Sequence, residues 1–94
     1  MKPYLSLGEA IQAFLDKHGL RDEASIHAII QEWDKLMGAP IASNTEKIWF
    51  SKGVLYVKMK SPVWKNELQL ARTKIRDLVN ARIKRKLIEE VKIV

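Results

Sequence analysis

The sequence predicts an α+β domain in the order ααββαβ, a three-stranded sheet with helices packed on one face. Three observations predict it. Apolar residues recur at helical spacing as far as Gly38, and from Lys47 the period changes to two. Ser61-Pro62 then restarts a helical pattern, and the chain closes on Val91-Lys92-Ile93-Val94, which reads as a strand. Its 94 residues suffice for one core and one domain, residues 1–94, but not for a layer on each side of the sheet.

Ser6-Leu7-Gly8-Glu9 has the form of a capping box, in which the serine hydroxyl serves a first-turn N–H and Glu9 reaches back. Leu7, Ala10, Ile11, Phe14, Leu15 and His18 follow at helical spacing and Gly19 supplies a stop, so the first helix is expected over 7–18. Asp22 or Ser25 is expected to start the second. Its stripe is Ile26, Ile29, Ile30, Trp33 and Met37, ended by Gly38 and Pro40. Ile41–Asn44 has room for one more helical turn. Ile48 and Phe50, then Leu55, Val57 and Met59, alternate with their neighbours around Ser51-Lys52-Gly53, the pattern of a β-hairpin. Ser61 and Pro62 suit the N-cap and first position of a third helix, with Trp64, Leu68, Ala71, Ile75, Leu78 and Val79 as its stripe. Continued unbroken, that helix would bring Arg82 into the stripe, so an end or bend is expected near Asn80, as a left-handed cap. Ile83, Leu87 and Ile88 are expected to form a short turn before the last strand.

The formal net charge is +6, which favours an anionic partner. Residues 1–47 hold five basic side chains (Lys2, Lys17, Arg21, Lys35, Lys47) of the total of 17 and seven of the 11 acidic ones. The surplus therefore belongs to the C-terminal half. The absence of cysteine removes disulfides, thiolate catalysis and thiolate metal ligation, and fits a reducing compartment. No stretch approaches the roughly 20 apolar residues of a membrane span. Glu9 arrives before a signal-peptide core can build, so a cytoplasmic protein without membrane contact is expected.

Catalysis has no visible seat. His18 and His27 fall on different helices, without the converging ligands of a metal site. Asp22-Glu23, Glu32/Asp34 and Glu89-Glu90 are spaced so that they do not face one another on a helix. The serines stand at caps and turns, and the glycines at 8, 19, 38 and 53 are too scattered for a phosphate-binding loop. No enzyme, metal or cofactor is expected.

Nucleic-acid binding has more support. Lys65, Arg72 and Arg76 line one side of the expected third helix, and Arg82, Lys84, Arg85 and Lys86 crowd into five positions. Such a cluster neutralises phosphates with little sequence preference; the alternative is a solvated helix edge. With Leu55, Val57 and Met59 turned to the helices, Tyr56, Lys58 and Lys60 would share the other side of the hairpin with Trp49. Rings among lysines on an open sheet suit single strands, whose bases stack while ammonium groups follow the backbone. The same rings also suit a protein interface. Trp33 and Trp64 sit on apolar stripes and read as core or pocket-lining residues.

Leu7-Gly8-Glu9-Ala10-Ile11 opens a helix, a second helix that contains Trp33 ends in Leu36-Met37-Gly38, and Lys52-Gly53-Val54-Leu55-Tyr56-Val57 leads to Ser61-Pro62-Val63-Trp64-Lys65-Asn66-Glu67-Leu68. In that order and spacing, over about residues 5–94, the chain resembles the DciA-like family. The resemblance implies a KH-like fold and a role in chromosome replication, in which characterised members bind the replicative helicase and DNA and help load the helicase. It makes Trp33, Gly53, Trp64, Glu67 and Leu68 signature residues of structural type, and implies no catalytic residue. The Gly-x-x-Gly loop with which KH domains clamp a nucleic-acid backbone is missing. The leading expectation is thus a non-enzymatic adaptor that binds DNA, single- or double-stranded, and the replicative helicase. The alternatives are a protein-interaction module that never touches nucleic acid, and a KH-like RNA- or ribosome-binding protein. Oligomeric state is left open.

Overall fold

A computed structural model describes residues 6–94; the signal-peptide expectation falls in part on residues 1–5 and there lies outside the described residues. The capping box forms as expected. Ser6 Oγ accepts from the Glu9 N–H at 3.1 Å, Glu9 Oε1 accepts from the Ser6 N–H at 3.3 Å, and helix α1 runs Leu7–Lys17. Helix α2 spans Arg21–Gln31, and neither Asp22 nor Ser25 caps it. Both side chains are engaged elsewhere, by Arg85 of a later helix end. The expected second helix is two, because the chain turns at Glu32 and restarts as α3, Trp33–Met37. The turn seats Trp33 in the core at 4% exposure, where its Nε1–H donates to Thr45 Oγ1 at 3.1 Å. A short α4, Ala39–Ser43, occupies the position where one helical turn was expected.

Strands β1 (Thr45–Ser51) and β2 (Val54–Met59) pair antiparallel, with a bulge between Thr45 and Lys47. Lys52 (φ +49°) and Gly53 (φ +80°) join them, both in the left-handed region that a two-residue type I′ turn requires. Helices α5 (Pro62–Gln69) and α6 (Arg72–Ile83) carry the chain to β3 (Glu90–Ile93), which runs parallel to β2 and completes a mixed sheet of order β1-β2-β3. The Gly53 carbonyl accepts from the N–H groups of Glu89 and Glu90 at 2.8 and 3.3 Å, tying the hairpin turn to the start of β3.

The expected third helix is also two. At the break the Gln69 carbonyl accepts from Arg72 Nε at 3.0 Å instead of continuing the ladder. Ser61 caps α5 as expected, accepting from the Trp64 N–H at 3.3 Å. Asn80 is not a left-handed cap. The helix continues past it, and Lys84 takes that conformation at φ 66°. Arg82 is accommodated because it leaves the apolar stripe for an ion pair with Glu32. The stripe is narrower than expected, since Leu78 is 47% exposed while Ile75 and Val79 are buried. No turn forms at Leu87 and Ile88. That segment is pinned by the Asn80 amide, which donates to the Ile88 carbonyl and accepts from the Ile88 N–H, both at 2.8 Å.

The helices cover one face of the sheet. Leu55, Val57 and Met59 of β2 and Val91 and Ile93 of β3 meet Ile26, Ile29, Trp33, Leu68, Ile75 and Val79 there, with Ile88. The arrangement is α+β as expected and compatible with a KH-like fold. Helix α1 stands apart, burying no side chain and leaving Leu7, Ile11 and Phe14 exposed, and the molecule is 55 Å long but only 24 × 18 Å across.

Candidate nucleic-acid interface

Strand alternation decides which side chains face away from the helices. With Leu55 and Val57 buried, Tyr56 and Lys58 point outward. Trp49 is the register partner of Tyr56, and Lys47 of Lys58. On the other side of β2, Lys92 is the partner of Tyr56. One row across the outer face therefore reads Trp49, Tyr56, Lys92.

The two rings stack nearly parallel, 5° apart in plane with centroids 5.1 Å apart, and each residue is half-buried. The Lys47 ammonium lies over the Trp49 ring, 5.2 Å from its centroid. Glu46, the extra residue of the bulge, pairs with Lys58 at 3.0 Å. Lys60 lies just past the end of β2 and is exposed. The hairpin residues named from the sequence, Trp49, Tyr56, Lys58 and Lys60, thus occupy one outer face or its end. Lys47 and Lys92 join them there although sequence reasoning missed both. Lys47 could have been found by extending the alternation back from Trp49. Lys92 could not, because the register of a parallel strand leaves no mark in the sequence.

The remaining named cations are not gathered with them. The break after Gln69 puts Lys65 on a different helix from Arg72 and Arg76, so the expected stripe is not continuous. Lys65 is exposed, Arg72 donates to the Gln69 carbonyl, and Arg76 pairs with Asp77 at 3.1 Å. The run from Arg82 to Lys86 divides by residue type. Arg82 grips Glu32, and Arg85 pairs with Asp22 at 2.7 Å while donating to Ser25 Oγ at 3.1 Å. Arg82 fastens the end of α6 to the turn after α2, and Arg85, just past α6, fastens it to the first turn of α2. Lys84 and Lys86 remain exposed.

The Arg82 guanidinium holds the Glu32 carboxyl below its ordinary range, through its hydrogen bonds first and its charge as well. Of the signature positions, Trp33 and Leu68 are buried, Trp64 is half-buried, Gly53 holds the turn and Glu67 is exposed. His18 and His27 are exposed, with the His18 ring against Phe14. A further groove of about 280 Å³ runs between α2 and edge strand β1, lined by Glu23, Ile26, His27 and Ile30 on one side and Ile48, Trp49 and Phe50 on the other.

The family model described as Dna[CI] antecedent, DciA, matches residues 6–93, and the chain belongs to that family. No curated protein and no solved structure matches it.

Proposed function

We propose that this member of the DciA family is a single-domain, non-enzymatic, cytoplasmic adaptor that assists loading of the replicative helicase onto DNA. The family match across residues 6–93 carries the reading. A surplus of exposed lysines, Lys47, Lys60, Lys65, Lys84, Lys86 and Lys92 among them, supports direct contact with DNA phosphates. The test has two parts. Fluorescence anisotropy with single- and double-stranded oligonucleotides is expected to show binding at about 50 mM salt that weakens at about 200 mM. A nuclease-treated pull-down is expected to retain the helicase. A folded protein that binds no DNA at low salt would sink the DNA half, and loss of the helicase from the pull-down would sink the other.

One observation favours a second reading, a protein-interaction module without DNA contact. The exposed Leu7, Ile11 and Phe14 on α1, at 79%, 49% and 57%, form an apolar helix face of the kind that partners cover. Helicase retention together with no DNA binding is the outcome that supports it.

A further inference from the structure

We propose that the outer face of the sheet is a stacking platform for single-stranded DNA, with the Tyr56 ring as its open surface and Lys47 and Lys92 as phosphate contacts at its two ends. The proposal rests on the DNA-contacting reading above and narrows it to one form of DNA and one face of the molecule.

Two parallel rings with centroids 5.1 Å apart each spend one face on the other and keep one. The Lys47 ammonium lies over the Trp49 ring. Tyr56 is flanked on its other side by Lys92, its register partner on β3. Lys47 and Lys92 are exposed, and neither makes an ion pair among the described residues. The helices pack their core on the opposite side of the sheet, and Trp49 and Tyr56 both remain partly exposed on this one. A two-ring stack flanked by ammonium groups matches the alternation of base and phosphate along a single strand. Any base can extend the stack on the Tyr56 side, because every base offers a π-face. On the Trp49 side a cation–π contact at an exposed site is weak, so a base can replace the ammonium, which then turns to the neighbouring phosphate. The charge of the face fits such a ligand: Lys58 and Glu46 pair with each other, which leaves Lys47 and Lys92 on it against Glu90. In a duplex the bases are stacked on one another and cannot enter, so the platform favours the single strand.

The test is anisotropy of a labelled oligothymidylate and of a duplex of equal length, with thermal melts confirming that each variant folds. Tyr56→Leu, which keeps an apolar side chain but removes the ring, is expected to weaken single-strand binding roughly tenfold and duplex binding by less than about twofold. Tyr56→Phe is expected to retain the affinity. The double variant Lys47→Gln/Lys92→Gln lies on exposed positions and is expected to weaken the single strand and flatten its salt dependence, so it decides the matter should Tyr56→Leu not fold. Wild-type affinity in Tyr56→Leu, or in the lysine pair, overturns the platform while leaving the DNA reading standing. A folded wild type that binds neither DNA overturns both.

Discussion

Arg82 and Glu32 form a two-point ion pair, Nε to Oε2 and Nη2 to Oε1 at 2.7 Å each, that ties α6 to the junction of α2 and α3. Both donors lie in the plane of the guanidinium, the geometry in which arginine holds a carboxylate best. The hydrogen bonds favour the charged carboxylate and depress the Glu32 pKa. A depressed folded-state pKa contributes stability above the ordinary glutamate range, and that contribution disappears as pH falls through the depressed value. Glu32→Gln is therefore expected to be less stable than wild type at neutral pH, with the gap closing in acid. Urea midpoints at pH 7 and at about pH 3 check this, and a gap that stays constant would show that the pair is not its source.

The arginines and lysines of the 82–86 run are expected to separate in experiment. Arg85→Gln releases Asp22 and Ser25 and lowers the melting temperature. Lys84→Gln/Lys86→Gln touches no internal contact among the described residues, so it leaves the melt unchanged and weakens DNA binding uniformly across sequences. The comparison needs only melts and anisotropy on the two variants.

At the hairpin turn, Gly53→Ala forces a Cβ onto a φ of +80° and to within 2.7 Å of Glu89 Oε2. The carboxylate can swing away, so the backbone conformation sets most of the penalty, about 1–2 kcal/mol. Lys52 holds φ +49° with an ordinary side chain. Lys52→Asn, the residue preferred at that turn position, is expected to stabilise by roughly 0.5–1 kcal/mol. Chemical denaturation measures both, and equal stability of the two variants would contradict the turn assignment.

Asn80→Ala removes both hydrogen bonds to Ile88, whose side chain is 2% exposed. Leaving that peptide unit without partners is expected to destabilise by about 1–3 kcal/mol. Hydrogen exchange of the Ile88 amide should accelerate more than that of Val57.

Much of this fold is legible in the sequence because its signals are local. The Ser6 and Ser61 caps, the hairpin and the helix-facing side of β2 each follow from residues within a few positions of one another. What was not legible depends on distant partners. Asp22 and Ser25 look like helix starts until Arg85 is seen beside them, and Asn80 looks like a cap until Ile88 is seen bonded to it. The breaks at Glu32 and after Gln69 occur without glycine or proline, so no residue announced them. In the candidate interface, strand parity brought out Trp49 and Tyr56. The count of cations in the 82–86 run overstated the free charge there, since composition does not reveal which arginines are already paired.

The parallel pairing of β3 with β2 has a kinetic consequence. Ser51 and Val54 meet across a two-residue turn, whereas Leu55 reaches Val91 only after the chain through α5 and α6 has been gathered in. Hairpins close within about 1–10 μs, while a long loop must meet its closure entropy before its contacts repay it. The hairpin can thus stand first, with Trp49 already against Tyr56, as an edge on which β3 is laid down late. Gly53, whose carbonyl receives Glu89 and Glu90, is the point at which the early and the late parts of the molecule join.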